Sequence, residues 1–240
     1  ENDTITIAYT RATGSIDDAN GNKLINFTAQ SVTNNLDTTA PVISSVSFSP
    51  TTGTSIVGNT IVMTINSDGT GYTANAISVN GVDVTASNFQ DLGGNNYSVD
   101  YVISEGDTSV ADASQIAISV ALTDASSNTN TAFTTAPAAG STPAIDADSP
   151  NFVSAATVST TQIAITVDQT VTNNGAAFGD FTLGGVTGGS IGSIASVSGT
   201  TITLNVTGAT ISDSDTVTIA YTRATGSIDD ANGTKLINFT

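Results

Sequence analysis

Nineteen of the 21 acidic residues are Asp, and many sit in short stretches rich in Asn and Gly. Ca²⁺ takes about six to eight oxygens, and a loop that alternates carboxylates, amide oxygens and carbonyls around a glycine supplies several from one segment. Asp17, Asp18, Asn20 and Asn22 in SIDDANGN have this character, as do Asp229, Asp230 and Asn232 in SIDDANGT. The same residues can instead close a tight turn, with Asp and Asn side chains bonding their own backbone and Gly21 and Gly233 supplying positive φ. Two further stretches place acids before a proline, LDTTAP at 36–41 and AIDADSP at 144–150. There Asp37, or Asp146 and Asp148, could converge with Asp124 and Asn128 of DASSN, and Ca²⁺ would relieve the repulsion and stiffen the joint. Glu105, Asp107 and Asp112 make a weaker third cluster, for which a solvated strand connection is the alternative.

Other chemistries lack their residues. The chain has no His and no Cys, which removes imidazole-based triads, zinc sites of nitrogen or sulfur, and disulfides. Adjacent Asp17 and Asp18 do not resemble a glycosidase pair, and no Trp is available to line a sugar cleft. A Lys-to-Asn cross-link would need Lys23 or Lys235, the only lysines, beside a buried acid. Triplets such as NDT at 2–4 and NFT at 26–28 are acceptors for glycosylation only where that machinery exists. We therefore expect no enzyme. A formal charge of -17 opposes nucleic acid and anionic membrane surfaces, and no run approaches the roughly 20 apolar residues of a membrane span.

These turns must be positioned by strands. Apolar and polar residues alternate at Ile5, Ile7 and Tyr9, at Ile61, Met63 and Ile65, at Ile163, Ile165 and Val167, and at Ile202, Leu204 and Val206. Turn clusters such as SDGTG and DLGGNN separate them, predicting an all-β protein of tandem Greek-key Ig-like β-sandwiches in an extended array. Residues 3–28 return as 215–240 with 24 of 26 positions identical, at an offset of 212. That period suits a pair of sandwiches of roughly 100 residues each. The proline-bearing stretches set the boundaries: 1–37 as the C-terminal part of one sandwich, 38–147 as a whole one, and 148–240 as another without its last strand. The start at Glu1, without Met or leader, predicts a window on something longer. Standing alone, the first hairpin would expose Ile5, Ile7, Tyr9, Leu24 and Phe27, so a neighbour is expected to cover them.

Residues 38–147, with DTTAPVISSVSFSPTTGT, VNGVDVT, YVISEGDTSVADAS and VALTDASSNTN, resemble a bacterial Ig-like domain of giant surface proteins. The other unit, from ATVSTTQIAITVDQ through VSGTTITLNVTGATISDSDTVTIAYT to SIDDANG, is similar to SwmB-type repeats of a swimming-motility surface protein. Together these resemblances imply an extracellular or cell-surface stalk, filament, surface-layer component or adhesin, without enzymatic activity. Its expected partners are neighbouring repeats, joined in one polypeptide or head to tail between chains by strand addition. The rival reading is an adhesin module that recognises glycans or a cell surface. Thr234 stands where the resemblance favours Asn, which puts a ligand role at that position in doubt.

Overall fold

A computed structural model describes residues 4–224 and 226–240. The first residue of the duplicated block, Asp3, and Asn2 of the NDT triplet lie outside them. The described chain is nearly all β, with one short 3-10 turn at Phe178–Asp180.

Two strands, β1 (Ile5–Tyr9) and β2 (Phe27–Val32), pair with each other antiparallel. The next unit follows with β3 (Ile43–Ser49), β4 (Thr54–Ile56), β5 (Thr60–Ser67), β6 (Thr73–Val79), β7 (Val82–Asp83), β8 (Gln90–Gly93) and β9 (Asn96–Val102). It ends with β10 (Ile118–Thr123) and β11 (Ala144–Asp146). One sheet has the order β3-β5-β9-β8 and another β10-β6-β7, which Phe133 extends by bridging Val120. Alternation decides which side chains go inside: Ile61, Met63 and Ile65 of β5 sit opposite Tyr101, Val99 and Tyr97 of β9, and all six are 0% exposed. They share one buried cluster with Ile77 and Val79 of β6 and Val120 and Leu122 of β10, so both sheets close on a common core.

The last unit contains β12 (Phe152–Ser159), β13 (Gln162–Val167), β14 (Thr172–Asn174), β15 (Phe181–Gly184) and β16 (Ser190–Ser198). β17 (Thr201–Thr207), β18 (Thr218–Tyr221) and β19 (Ser227–Asp229) complete it. Its four-stranded sheet runs β12-β13-β17-β16, the same first, second, fourth, third order as β3-β5-β9-β8. Its partner sheet pairs β15 with β18, and Phe239 bridges Tyr221 as Phe133 bridges Val120. A separate cluster centred on Ile163, Ile165, Ile202, Leu204 and Tyr221 forms its core. The backbone approaches itself closely at Gly185, φ 80°, where a Cβ would collide with the carbonyl oxygen of Thr216.

The stretch at 144–147 is not a free linker, because β11 pairs parallel with β4 and Ile145 and Ala147 are 2% and 0% exposed. Residues of the first hairpin belong to neither buried cluster; Ile5, Ile7 and Leu24 are exposed as expected of that hairpin standing alone, whereas Tyr9 and Phe27 are half-buried, their rings 6.0 Å apart.

Candidate functional site: the acidic joints

Three loops of related sequence, DANGN at 18–22, DASSN at 124–128 and DANGT at 230–234, fold alike. In each, the Asp N–H donates to the carbonyl of the fifth residue, at 2.9, 3.0 and 2.9 Å. The fourth residue is left-handed, with φ of 82° at Gly21, 70° at Ser127 and 91° at Gly233. The Asp carboxylate then accepts two backbone N–H groups. Asp18 Oδ1 takes those of Asn20 and Asn22, Asp124 Oδ1 those of Ser126 and Asn128, and Asp230 Oδ1 those of Asn232 and Thr234. The bond from the Asn22 side chain, with these backbone donors, holds Asp18 below the usual carboxylate range.

The remaining candidates divide between two joints. At the first, the Asn128 side chain closes on Asp124 Oδ2 at 2.9 Å and donates to the Asp37 carbonyl at 3.2 Å. Asp37 Oδ1 accepts the Thr39 N–H at 3.0 Å. At the second, the Asn232 side chain donates to Asp146 Oδ2 at 2.7 Å, and Asp146 Oδ1 accepts the Asp148 N–H at 3.3 Å. Each linker acid thus meets the loop from the far end of the unit that follows it. Asp146 and Asp148 do not meet Asp124 and Asn128; Asp146 faces Asp230 and Asn232, and Asp148 lies beside Asp146, Asp168 and Glu105. Asp17 and Asp229 take another course. Asp17 pairs with Lys23 at 3.3 Å, whereas Asp229 is 3% exposed and accepts from the Asn174 side chain at 2.9 Å.

Asp68 and Asp168 complete the joints, and sequence reasoning missed both. The N–H after each proline donates to one of them, Val42 to Asp68 Oδ1 at 2.9 Å and Asn151 to Asp168 Oδ1 at 2.7 Å. Each Asp N–H returns a bond to the same residue's carbonyl, at 3.0 Å in both cases. The third acidic cluster does not form as one group. Asp107 accepts the Tyr101 hydroxyl at 2.9 Å, while Glu105 turns to the second joint and accepts the Ser149 N–H at 3.1 and 3.2 Å. Burial and the bond to Asp107 push the Tyr101 hydroxyl up to about 12.

The electrostatics of the two joints differ. Asp68 is held below its ordinary value, chiefly by the Val42 N–H. Burial raises Asp148, with Asp168, Glu105 and Asp146 adding to it, and burial with Asp146 raises Asp230. Among the described residues no three carboxylates are grouped closely enough to cage a metal. A cation at the second joint would be held by Asp146 and Asp230 and would keep much of its water. A groove of about 560 Å³ opens beside this joint, lined by Glu105, Ser149, Arg223 and Lys235 among others. The chain matches no protein-family model and no curated protein.

Replacing Asp124 by Ala removes three hydrogen bonds from a half-buried turn, and about 1 kcal/mol of stability should go with them. Thermal unfolding of the purified chain measures this, and a shift confined to the transition of residues 38–147 is the expected result.

Proposed function

We propose that the chain is a structural repeat segment of a long extracellular filament, stalk or surface-layer protein, built from tandem Greek-key Ig-like sandwiches and stiffened by Ca²⁺. The observation that carries this reading is the joint made twice. The residues after Pro41 and Pro150 make the same pair of bonds with Asp68 and Asp168, and Asp37 and Asp146, each four residues before its proline, meet the loops at Asp124 and Asp230, through the backbone carbonyl in one joint and the carboxylate in the other. A joint repeated in this way sets the angle between successive units, and that angle matters to an array rather than to a pocket. The shared strand order of the two units and the resemblance to bacterial Ig-like and SwmB-type repeats support the same reading. The segment's task is then mechanical: units in series set length, joints set bending, and no catalysis is assigned. Calcium belongs at the second joint, where burial and neighbouring acids oppose the charge of Asp148 and Asp230.

Immunogold labelling of intact cells with an antibody to this segment tests the proposal. Label on fibres or a layer outside the cell is expected, and label confined to the cell interior would overturn it.

A further inference from the structure

The duplicated block folds the same way twice but is buried only once. Tyr9 and Phe27 rings lie 6.0 Å apart at 32°, and Tyr221 and Phe239 rings 5.9 Å apart at 32°. The Leu24 N–H donates to the Ile16 carbonyl at 2.8 Å, and Leu236 repeats this bond to Ile228 at 2.8 Å. Their surroundings are not the same. Ile228 and Leu236 are 0% exposed, against 60% for Ile16 and 38% for Leu24. The difference comes from a socket made by residues 152–211. There β15 pairs with β18, Phe181 lies 4.9 Å from Tyr221, and Phe152 lies 4.6 Å from Phe239. Among the described residues β1 pairs with β2 alone, so the edge that would correspond to the β15 side of β18 carries no strand.

We infer that the hairpin of residues 5–32 is an interaction surface for a second copy of this chain, entering that copy's 152–211 socket by strand addition. Tyr9 then stands where Tyr221 stands, against Phe181, and Phe27 stands against Phe152. Asp17 leaves Lys23 for the side chain of Asn174. The resident block competes for the socket but fills it less completely. On the edge of β18 away from β15, the only described pairing is Tyr221 with Phe239. A groove of about 120 Å³ lies there between Ala155, Ala156, Ile163, Val217 and Ile219. The incoming hairpin brings the missing strand, because Gln30, Ser31 and Val32 already pair with Ile7, Thr6 and Ile5. This deepens the array reading by naming the surface through which segments join. The two fail separately, because cell-surface labelling does not depend on exchange between chains.

The chain has no cysteine, so a disulfide can report the pairing. Thr182 and Ala220 are partners across β15 and β18, and Ala8 is the duplicate of Ala220. Full-length Ala8→Cys and full-length Thr182→Cys are mixed, unfolded, refolded together at high concentration and oxidised. Mass spectrometry should find peptides joining residue 8 to residue 182, at least about tenfold reduced when Ile16→Asp and Leu24→Asp are added to the first chain. Only like-with-like dimers would overturn the inference. A second readout needs no disulfide. The full chain with Ile228→Asp and Leu236→Asp spoils its own plug, and it should associate in sedimentation velocity. Adding Ile16→Asp and Leu24→Asp should return it to monomer; no association, or association that persists in the fourfold variant, would overturn the proposal.

Discussion

Leu236→Ala should cost the last unit about 2–5 kcal/mol, while Leu24→Ala in the same sequence context should cost less than about 1 kcal/mol. The two leucines occupy equivalent places in blocks that differ at two of 26 positions, so helix or strand propensity cannot separate them. Environment does. Leu236 is 0% exposed and belongs to the cluster centred on Ile163 and Tyr221, so truncation leaves a cavity whose lining loses its contacts. Leu24 keeps 38% of its surface exposed and belongs to no buried cluster, so truncation there leaves no enclosed cavity. Denaturant unfolding of dilute, monomeric protein measures both. Equal losses at the two positions would mean that the hairpin is covered as fully as its duplicate.

The sequence carried much of this in its two-residue periodicity. Ile61, Met63 and Ile65, and likewise Ile163, Ile165 and Val167, point inward as their alternation requires, because one face of each strand meets an apolar core. The three Asp turns were legible for a related reason: an Asp followed two to four residues later by Asn and a small left-handed residue is locally self-sufficient. What could not be read was which turn meets which linker. Asp146 and Asp230 are 84 positions apart, and their meeting depends on how the whole last unit folds back to its own beginning. Asp68 and Asp168 escaped for a further reason. Counted from the prolines, Asp68 lies 27 residues after Pro41 and Asp168 only 18 after Pro150, because β4 is inserted between β3 and β5 while β12 turns directly into β13. A fixed-offset comparison therefore slides past the match. The parallel pairing of β11 with β4 was equally hidden, since AIDADSP carries the composition of a linker and only tertiary contact makes half of it a strand.

Lowering the pH and adding calcium should both stabilise the last unit, protons through Asp230 and Asp148 and calcium through Asp230 and Asp146. Burial and Asp146 raise Asp230 above its ordinary value of 3.8, and burial with Asp168, Glu105 and Asp146 raises Asp148. A carboxyl raised in this way binds protons more readily folded than unfolded, so its contribution is complete below the unfolded pKa and is lost as pH rises through the folded one. The last unit should therefore gain stability as pH falls from neutrality toward about 4. Asp68 works in the opposite sense: the Val42 N–H lowers it, so the support it gives the first joint is present above about 4 and is lost on stronger acidification. At neutral pH a divalent cation can replace the proton between Asp146 and Asp230. With a dissociation constant on the order of 1 mM, about 10 mM Ca²⁺ adds roughly 1.4 kcal/mol, or about 5–10 °C for a unit of this size. Asp230→Asn keeps an oxygen for the Asn232 and Thr234 N–H groups and offers Asp146 an amide donor instead of a like charge. Its melting temperature should exceed that of the unchanged protein in calcium-free buffer, and its responses to acid and to calcium should both shrink. A calcium response of the same size in Asp230→Asn would move the ion elsewhere, and none in either protein would leave a joint held by hydrogen bonds and protons alone.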